Sequence, residues 1–287
     1  MSREEELGQQ LVEILGETTG MLVRRFTGQY HEDEWGFDEE FAEATFPLFE
    51  FLYNSWFRVE TTGVTNVPGH GRTLMVGNHA GTVFPFDAVM IGTAIQKEHP
   101  LPRWTRAMVL NWAFELPFIS YFMRRIGGMP ANQANLKRLL ASDEQVMVFP
   151  EGAKGFGKPY SERYQLQRFG RGGFVEVALE TGTPIVPVAV VGSEEIYPKI
   201  GQSDAAAKLL GAPYVPITPT FPLLGPLGLL PLPSRWRIEF LEPVDLSEYG
   251  PGASEDRSLV LDISEQVRGS IQEALYDGLL KRGPAFL

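Results

Sequence analysis

The segment "TLMVGNHAGTVFPFDAVMIGTAI", residues 73–95, contains the change of pattern that decides the fold. Leu74, Met75 and Val76 form an apolar run with no polar alternate, as in a strand covered on both faces. A polar turn follows, and from Pro85 the apolar spacing becomes helical. Proline suits a first helical turn, and an acid such as Asp87 is favoured at that end by the helix dipole. A strand that passes through a polar turn into a helix is the repeating unit of a layered α/β fold.

The unit recurs along the chain. "AMVLN" (107–111), "QVMVFP" (145–150), "PIVPVAVVG" (184–192) and "WRIEFLEP" (236–243) read as strands. "QANLKRLLA" (133–141) and "GGFVEVALETG" (172–182) read as helices, the second ending at Gly182 in the C-cap position. A closing helix is expected over about residues 256–281. The fold class is therefore α/β, with a mixed, largely parallel central sheet flanked by helices.

Before this pattern begins, residues 4–27 carry Leu7, Leu11, Ile14, Leu15, Leu22 and Phe26 at helical spacing. A second helical segment over residues 39–57 carries Phe41, Phe46, Phe49, Phe51, Tyr53, Trp56 and Phe57. The chain thus divides into an N-terminal helical pair, 1–57, and an α/β domain, 58–287. The aromatic pair fits two uses, packing on the domain or anchoring at a membrane surface.

Bulk composition narrows the functions. A net charge of −11 argues against nucleic acid, which needs a basic face. The absence of cysteine removes disulfides, thiolate nucleophiles and Cys-ligated metals and fits a reducing compartment. The first residues, "MSREEELGQQ", carry acids where a signal peptide carries bases, so a cytoplasmic protein is expected. Residues 209–234 contain no charged residue, but seven prolines break any spanning helix there. That stretch fits either an apolar loop on the core or one that dips into a membrane surface.

The chemistry-bearing residues follow strands. His79 comes directly after one, where an imidazole can take a proton from a hydroxyl and a carboxylate on its other nitrogen fixes the tautomer. Asp87 is the obvious carboxylate. Glu151 and Gly152 follow a second strand in "VFPEGAKG", and "GSEE" follows a third. In an α/β sheet such strand ends form one ligand site. His31, His70 and His99 sit in polar or turn-rich segments and read as surface residues. "GAKGFGK" mimics a phosphate-binding loop, but Pro159 stands where a Ser or Thr would hold magnesium. No G-x-S-x-G is present for a serine hydrolase, and no histidines are paired for a metal.

In this order, His79, Asp87, "FPEG" and "PIVPVAVVG" resemble the glycerolipid acyltransferase superfamily of the lysophosphatidic-acid-acyltransferase (PlsC) type. "VTNVPGHGRTLMVGNHAG", "LPFISYFMRRIGGMPANQ", "VMVFPEGAKG" and "TGTPIVPVAVVG" look like its four blocks. The resemblance implies that His79 is a general base, oriented by Asp87, for attack of an acceptor hydroxyl on an acyl-CoA or acyl-carrier-protein thioester. It implies that Glu151 and Gly152 bind the acceptor and that Pro184 and Pro187 shape the pocket wall. It implies no cofactor beyond the thioester co-substrate, a glycerolipid acceptor and peripheral attachment to the cytoplasmic membrane face.

Two departures from the family pattern matter. The family places four residues between His and Asp, whereas residues 80–86 place seven, with Phe84 at the usual acid position. Either Gly81 lets the longer loop return Asp87 to the ring or another group serves. The second block ends in Asn132 and Gln133 where the family has an arginine for the acceptor phosphate. Lys154, Lys158, Arg168 and Arg171 are candidates to replace that charge, Arg171 being best placed. The acceptor is then a lysophospholipid, lysophosphatidic acid, or a neutral lipid alcohol such as diacylglycerol. A non-catalytic lipid-binding protein and a thioesterase are the competing classes.

Overall fold

A computed structural model of the protein describes residues 31–80, 84–115, 117–210, 214–250 and 252–286. The helix expected over residues 4–27, and Gly81, lie outside them. In chain order the elements are helix α1 (Glu39–Phe51), continued by a π-helical turn at Leu52–Trp56, strands β1 (Glu60–Thr62) and β2 (Thr73–Gly77), and helix α2 (Phe86–Glu98). Next come β3 (Thr105–Val109), α3 (Pro117–Arg125), β4 (Gly128–Pro130), α4 (Gln133–Ala141), β5 (Gln145–Val148) and the short α5 (Ala153–Phe156). The chain continues through α6 (Gly173–Thr181), β6 (Ile185–Val191), β7 (Gly201–Gln202), α7 (Asp204–Leu210), β8 (Pro216–Ile217), β9 (Arg237–Phe240) and α8 (Arg257–Arg282).

Seven strands form one sheet in the order β1-β9-β6-β2-β5-β3-β4. From β6 to β4 they are parallel, β9 is antiparallel to β6, and β1 runs with β9. This is the mixed, largely parallel sheet expected from the apolar runs. β2, β5 and β6 are buried along their whole length. Their side chains alternate between two cores. Leu74, Val76, Val146, Val148, Ile185 and Ala189 meet α4, α6 and α8 on one face. Met75, Met147, Val186, Val188 and Val190 meet α2, Tyr53, Phe57 and Trp236 on the other. The outer strands β3 and β9 alternate buried and half-buried residues, as strands covered on one face do.

The edge strands β1 and β4 are three residues each, too short for a periodic pattern to announce them. The aromatic helix α1 lies against the domain. Asp38 caps it by accepting from the Phe41 N–H at 2.9 Å. Phe41 meets Tyr121 and Phe122 of α3 edge-on, Phe46 meets Trp104, and Phe57 stacks on the buried Trp236 with centroids 4.6 Å apart. His99, read from the sequence as a surface residue, is instead buried. Its ring nitrogens face the Val67 and Leu101 carbonyls at 2.9 and 2.8 Å.

α8 fastens the C-terminal end of the fold to the loop after β6. Its cap, Asp256, accepts from the Ser258 and Leu259 N–H groups. At its other end the buried Arg282 forms a two-pronged pair with the buried Glu195, one of its bonds being 2.8 Å, and also reaches the Tyr164 hydroxyl at 3.5 Å. Removing one member of such a pair leaves the other charge without water or partner. Arg282→Met is expected to destabilise the fold by about 3–5 kcal/mol, with part of the loss recovered by Glu195→Gln in the same chain, as read by urea denaturation.

Candidate active site

The parallel strands end at one edge of the sheet, and the polar turns gather there. Asn78 extends β2 with its side chain. Its amide donates to the Val190 carbonyl at 3.0 Å and accepts from the Val190 N–H at 2.8 Å, so the strand end is stitched to β6 just before His79. The His79 ring lies flat on Phe149, centroids 4.4 Å apart and planes 22° from parallel. Its backbone N–H donates to Glu151 Oε1 at 3.1 Å. The turn after β5 therefore holds both the backbone and the ring face of His79, and the ring nitrogen is held from a helix.

The ring nitrogen belongs to α2. His79 Nδ1 lies 2.8 Å from Asp87 Oδ2, an oxygen that also accepts from the Ala80 N–H at 2.8 Å. Asp87 Oδ1 accepts from the Ala88 N–H at 2.8 Å, and the residue is fully buried in the first turn of α2. The seven intervening residues thus end with the carboxylate at the imidazole. With Nδ1–H turned to Asp87, the basic lone pair of the ring is on Nε2. Phe84, at the position where shorter spacing would put the acid, tilts against Phe86 with centroids 4.8 Å apart and faces a cavity instead.

Two cavities meet at His79. One, of about 240 Å³, is apolar, lined by Phe84, Met108, Leu110, Trp112, Ile119 and Met123 among others. A further apolar cavity, under Phe46 and Phe49 of α1, shares Pro85, Ala88, Val109 and Met123 with it. The other, of about 250 Å³, is lined by Asn132, Gln133, Gly152, Phe169, Gly170 and Arg171, with His79 and Phe149 on its wall. Sequence reading missed the apolar set and Phe149. Phe84, Leu110, Trp112 and Phe149 lie between the strands and α-helices, where no period marks them, and Met108 in β3 and Ile119 and Met123 in α3 read only as core residues.

The sequence-predicted residues divide clearly. His79 and Asp87 are in contact, and Asn132, Gln133, Gly152 and Arg171 share the second cavity with the imidazole. The two amides already work within the protein. Asn132 caps α4 by accepting from the Asn135 N–H at 2.8 Å, and the Gln133 side-chain amide donates to Glu176 at 2.7 Å and to the Gly173 carbonyl at 3.1 Å. Glu151 is turned inward, with both oxygens engaged by the His79 and Gln167 N–H groups. Gly152 holds φ +58° and ψ −143°, a conformation that only glycine adopts at low cost. Lys154 and Arg168 are exposed outside both cavities. Pro187 pairs with Val76 inside the sheet and lines neither cavity, and Pro184 lies before β6, at the opposite edge.

Comparison with known proteins places this geometry. The acyltransferase family model matches residues 58–191. An uncharacterized protein of Mycobacterium tuberculosis is 47% identical over 277 residues, covering 96% of this chain and 77% of that one. Phytyl ester synthase 2, chloroplastic, of Arabidopsis thaliana is 29% identical over 133 residues, covering 45% of this chain and 19% of that protein. Among solved structures, the 1-acyl-sn-glycerophosphate (LPA) acyltransferase PlsC from Thermotoga maritima superposes with a TM-score of 0.56 at 15% identity, covering 94% of this chain and 95% of that one. A chain with a strand-end histidine beside a buried aspartate, this sheet order and these matches belongs to the acyltransferase family, as an O-acyltransferase built on the fold of PlsC.

Proposed function

We propose that this protein transfers a fatty acyl group from acyl-CoA or acyl carrier protein to a hydroxyl of a glycerolipid, with His79 as general base. The observation that carries the reading is the buried His79–Asp87 pair set between an apolar cavity and one that holds Arg171. The acyl chain occupies the apolar cavity, and the acceptor enters from the other side. His79 Nε2 takes the hydroxyl proton as the oxygen attacks the thioester carbonyl. The C–O bond forms, the C–S bond breaks, and the imidazolium returns the proton to the departing sulfur. Asp87 fixes the tautomer and stabilises the imidazolium. The thioester is already activated, so proximity supplies much of the acceleration and no acyl-enzyme is needed.

The acceptor is a lysophospholipid or lysophosphatidic acid, its phosphate met by Arg171. This guanidinium is exposed at the cavity and has no hydrogen-bond or ion-pair partner among the described residues. The second reading, a neutral lipid alcohol such as diacylglycerol, is supported by the engagement of Asn132 and Gln133 within the protein. It is supported also by the similarity to an enzyme named for phytyl esters.

No helix among the described residues is long and apolar enough to cross a membrane. We infer that the enzyme meets its lipid as a peripheral protein at the cytoplasmic membrane face. The uncharged stretch supports this: Leu223, Leu224, Leu227 and Leu230 are 82%, 54%, 69% and 60% exposed. Their backbone is held from beneath, where Tyr197 donates to the Leu229 carbonyl and Trp56 to that of Pro231. Exposed leucines on a fixed turn fit a hydrocarbon surface.

His79→Ala is expected to lower kcat about 100-fold or more, and Asp87→Asn nearly as far, with mass spectrometry following acyl product over a lipid panel. Lipid binding without CoA release in the wild type would favour a non-catalytic binder, and free fatty acid as sole product a thioesterase. Arg171→Ala is expected to raise KM for lysophosphatidic acid about 10-fold or more and leave diacylglycerol unchanged if the phosphate reading holds. Leu223→Asp with Leu227→Asp is expected to cut sedimentation with phosphatidylcholine vesicles about 10-fold or more while sparing transfer to lipid dispersed in detergent.

A further inference from the structure

The proposed base rests on a carboxylate that is itself held from behind. Glu151 has a fully buried side chain; Oε1 accepts from the His79 N–H at 3.1 Å and Oε2 from the Gln167 N–H at 2.7 Å. Behind it stands Lys158, whose side chain is 2% exposed. Its Nζ lies 3.5 Å from Glu151 Oε2 and 3.2 Å from Glu194 Oε1. Glu194 follows β6, is almost as deeply buried, and accepts from the Tyr164 N–H at 3.0 Å. One ammonium group thus ties the turn after β5 to the turn after β6, at the carboxylate that accepts from the His79 backbone N–H.

The loop that delivers Lys158 is shaped for this. A Cβ at Gly155 would sit 2.5 Å from the Glu151 Cβ, so only glycine lets α5 close over the carboxylate. This gives "GAKGFGK" a meaning unrelated to phosphate, because its lysine points inward to two acids. Isolated buried charges are costly, and two acids beside one cation are stable only while that cation stays. Burial pushes the Glu194 carboxyl up to about 7, with Lys158 opposing the shift and Glu151 adding to it. The neighbouring Glu195 has its own cation in Arg282.

We propose that Lys158, which lines neither cavity, is a positioning residue for His79. Anchored by Glu194, it holds the Glu151 carboxylate on the His79 backbone N–H and so fixes the imidazole over Phe149. The role as stated rests on His79 being the base, but the geometric link is readable without activity.

The test compares wild type, Lys158→Met, Glu194→Gln and the double variant K158M/E194Q. Steady-state kcat and KM are measured with acyl-CoA and the acceptor the wild type uses. In parallel, backbone amide spectra are recorded on protein labelled with 15N-histidine, which gives one peak for each of four histidines. Lys158→Met is expected to lower kcat about 10- to 100-fold with KM changed less than about twofold, since an ångström of misplacement costs rate rather than affinity. It is also expected to move the His79 amide peak while those of His31, His70 and His99 stay. Adding Glu194→Gln removes the stranded like charge and is expected to recover about half of the logarithmic loss, a coupling that unrelated sites do not show.

If Lys158→Met does not fold, the double variant carries the comparison. A folded Lys158→Met or K158M/E194Q with wild-type kcat, or an unmoved His79 amide, would overturn the proposal. If the wild type transfers no acyl group, the reading of His79 as base fails, and the amide spectra still decide whether Lys158 holds its backbone.

Discussion

A strand buried on both faces has no room for a charge except at its ends. β2, β5 and β6 are such strands, and because they lie parallel and adjacent, all of their polar continuations emerge at the same edge. His79, Glu151 and Glu194 are distant in sequence, yet each is the first or nearly the first ionisable group after its strand. The sheet therefore does more than support the site. Its two-sided burial is the reason that these groups are together, and each must then find a partner among the others.

Much of this was legible because it follows from periodicity. The apolar runs at 74–76, 146–148 and 185–191 read as covered strands and are, and "QANLKRLLA" matches α4 residue for residue. The edge strands β1 and β4 were not legible, since three residues carry no period. At the site, His79 and Asp87 stood out through residue type and the strand-to-helix turn. Orientation did not. Whether Glu151 faces a ligand or the protein depends on which N–H groups lie nearby, and those come from residues 79 and 167. The family resemblance implied that Pro187 and Pro184 shape the pocket wall, but their register places one inside the sheet and the other at its far edge.

The basic loop shows the same limit in electrostatic terms. Its lysines and arginines are equivalent as a composition and unlike as a structure. Lys158 neutralises buried acids, Arg171 looks onto the cavity, and Lys154 and Arg168 face solvent. In a chain of net charge −11, most acids are solvated and cheap to keep. Those buried after the central strands and in the first turn of α2, Asp87, Glu151, Glu194 and Glu195, each meet a cation, an imidazole or several N–H groups. The buried anions, and not the net charge, set the demand for basic residues near the site.

Phe84 adds a constraint of another kind. The loop between His79 and Asp87 ends in a ring that faces the apolar cavity and touches Phe86, the residue that begins α2 and immediately precedes the acid. One short segment therefore carries both a wall of the proposed acyl site and the tether of the proposed acid. Chain preference and turnover share a lever. With the acyl chain in this cavity as proposed, remodelling this wall for a longer or bulkier group also disturbs the carboxylate, whereas Ile119 and Trp112 line the same cavity from other parts of the chain.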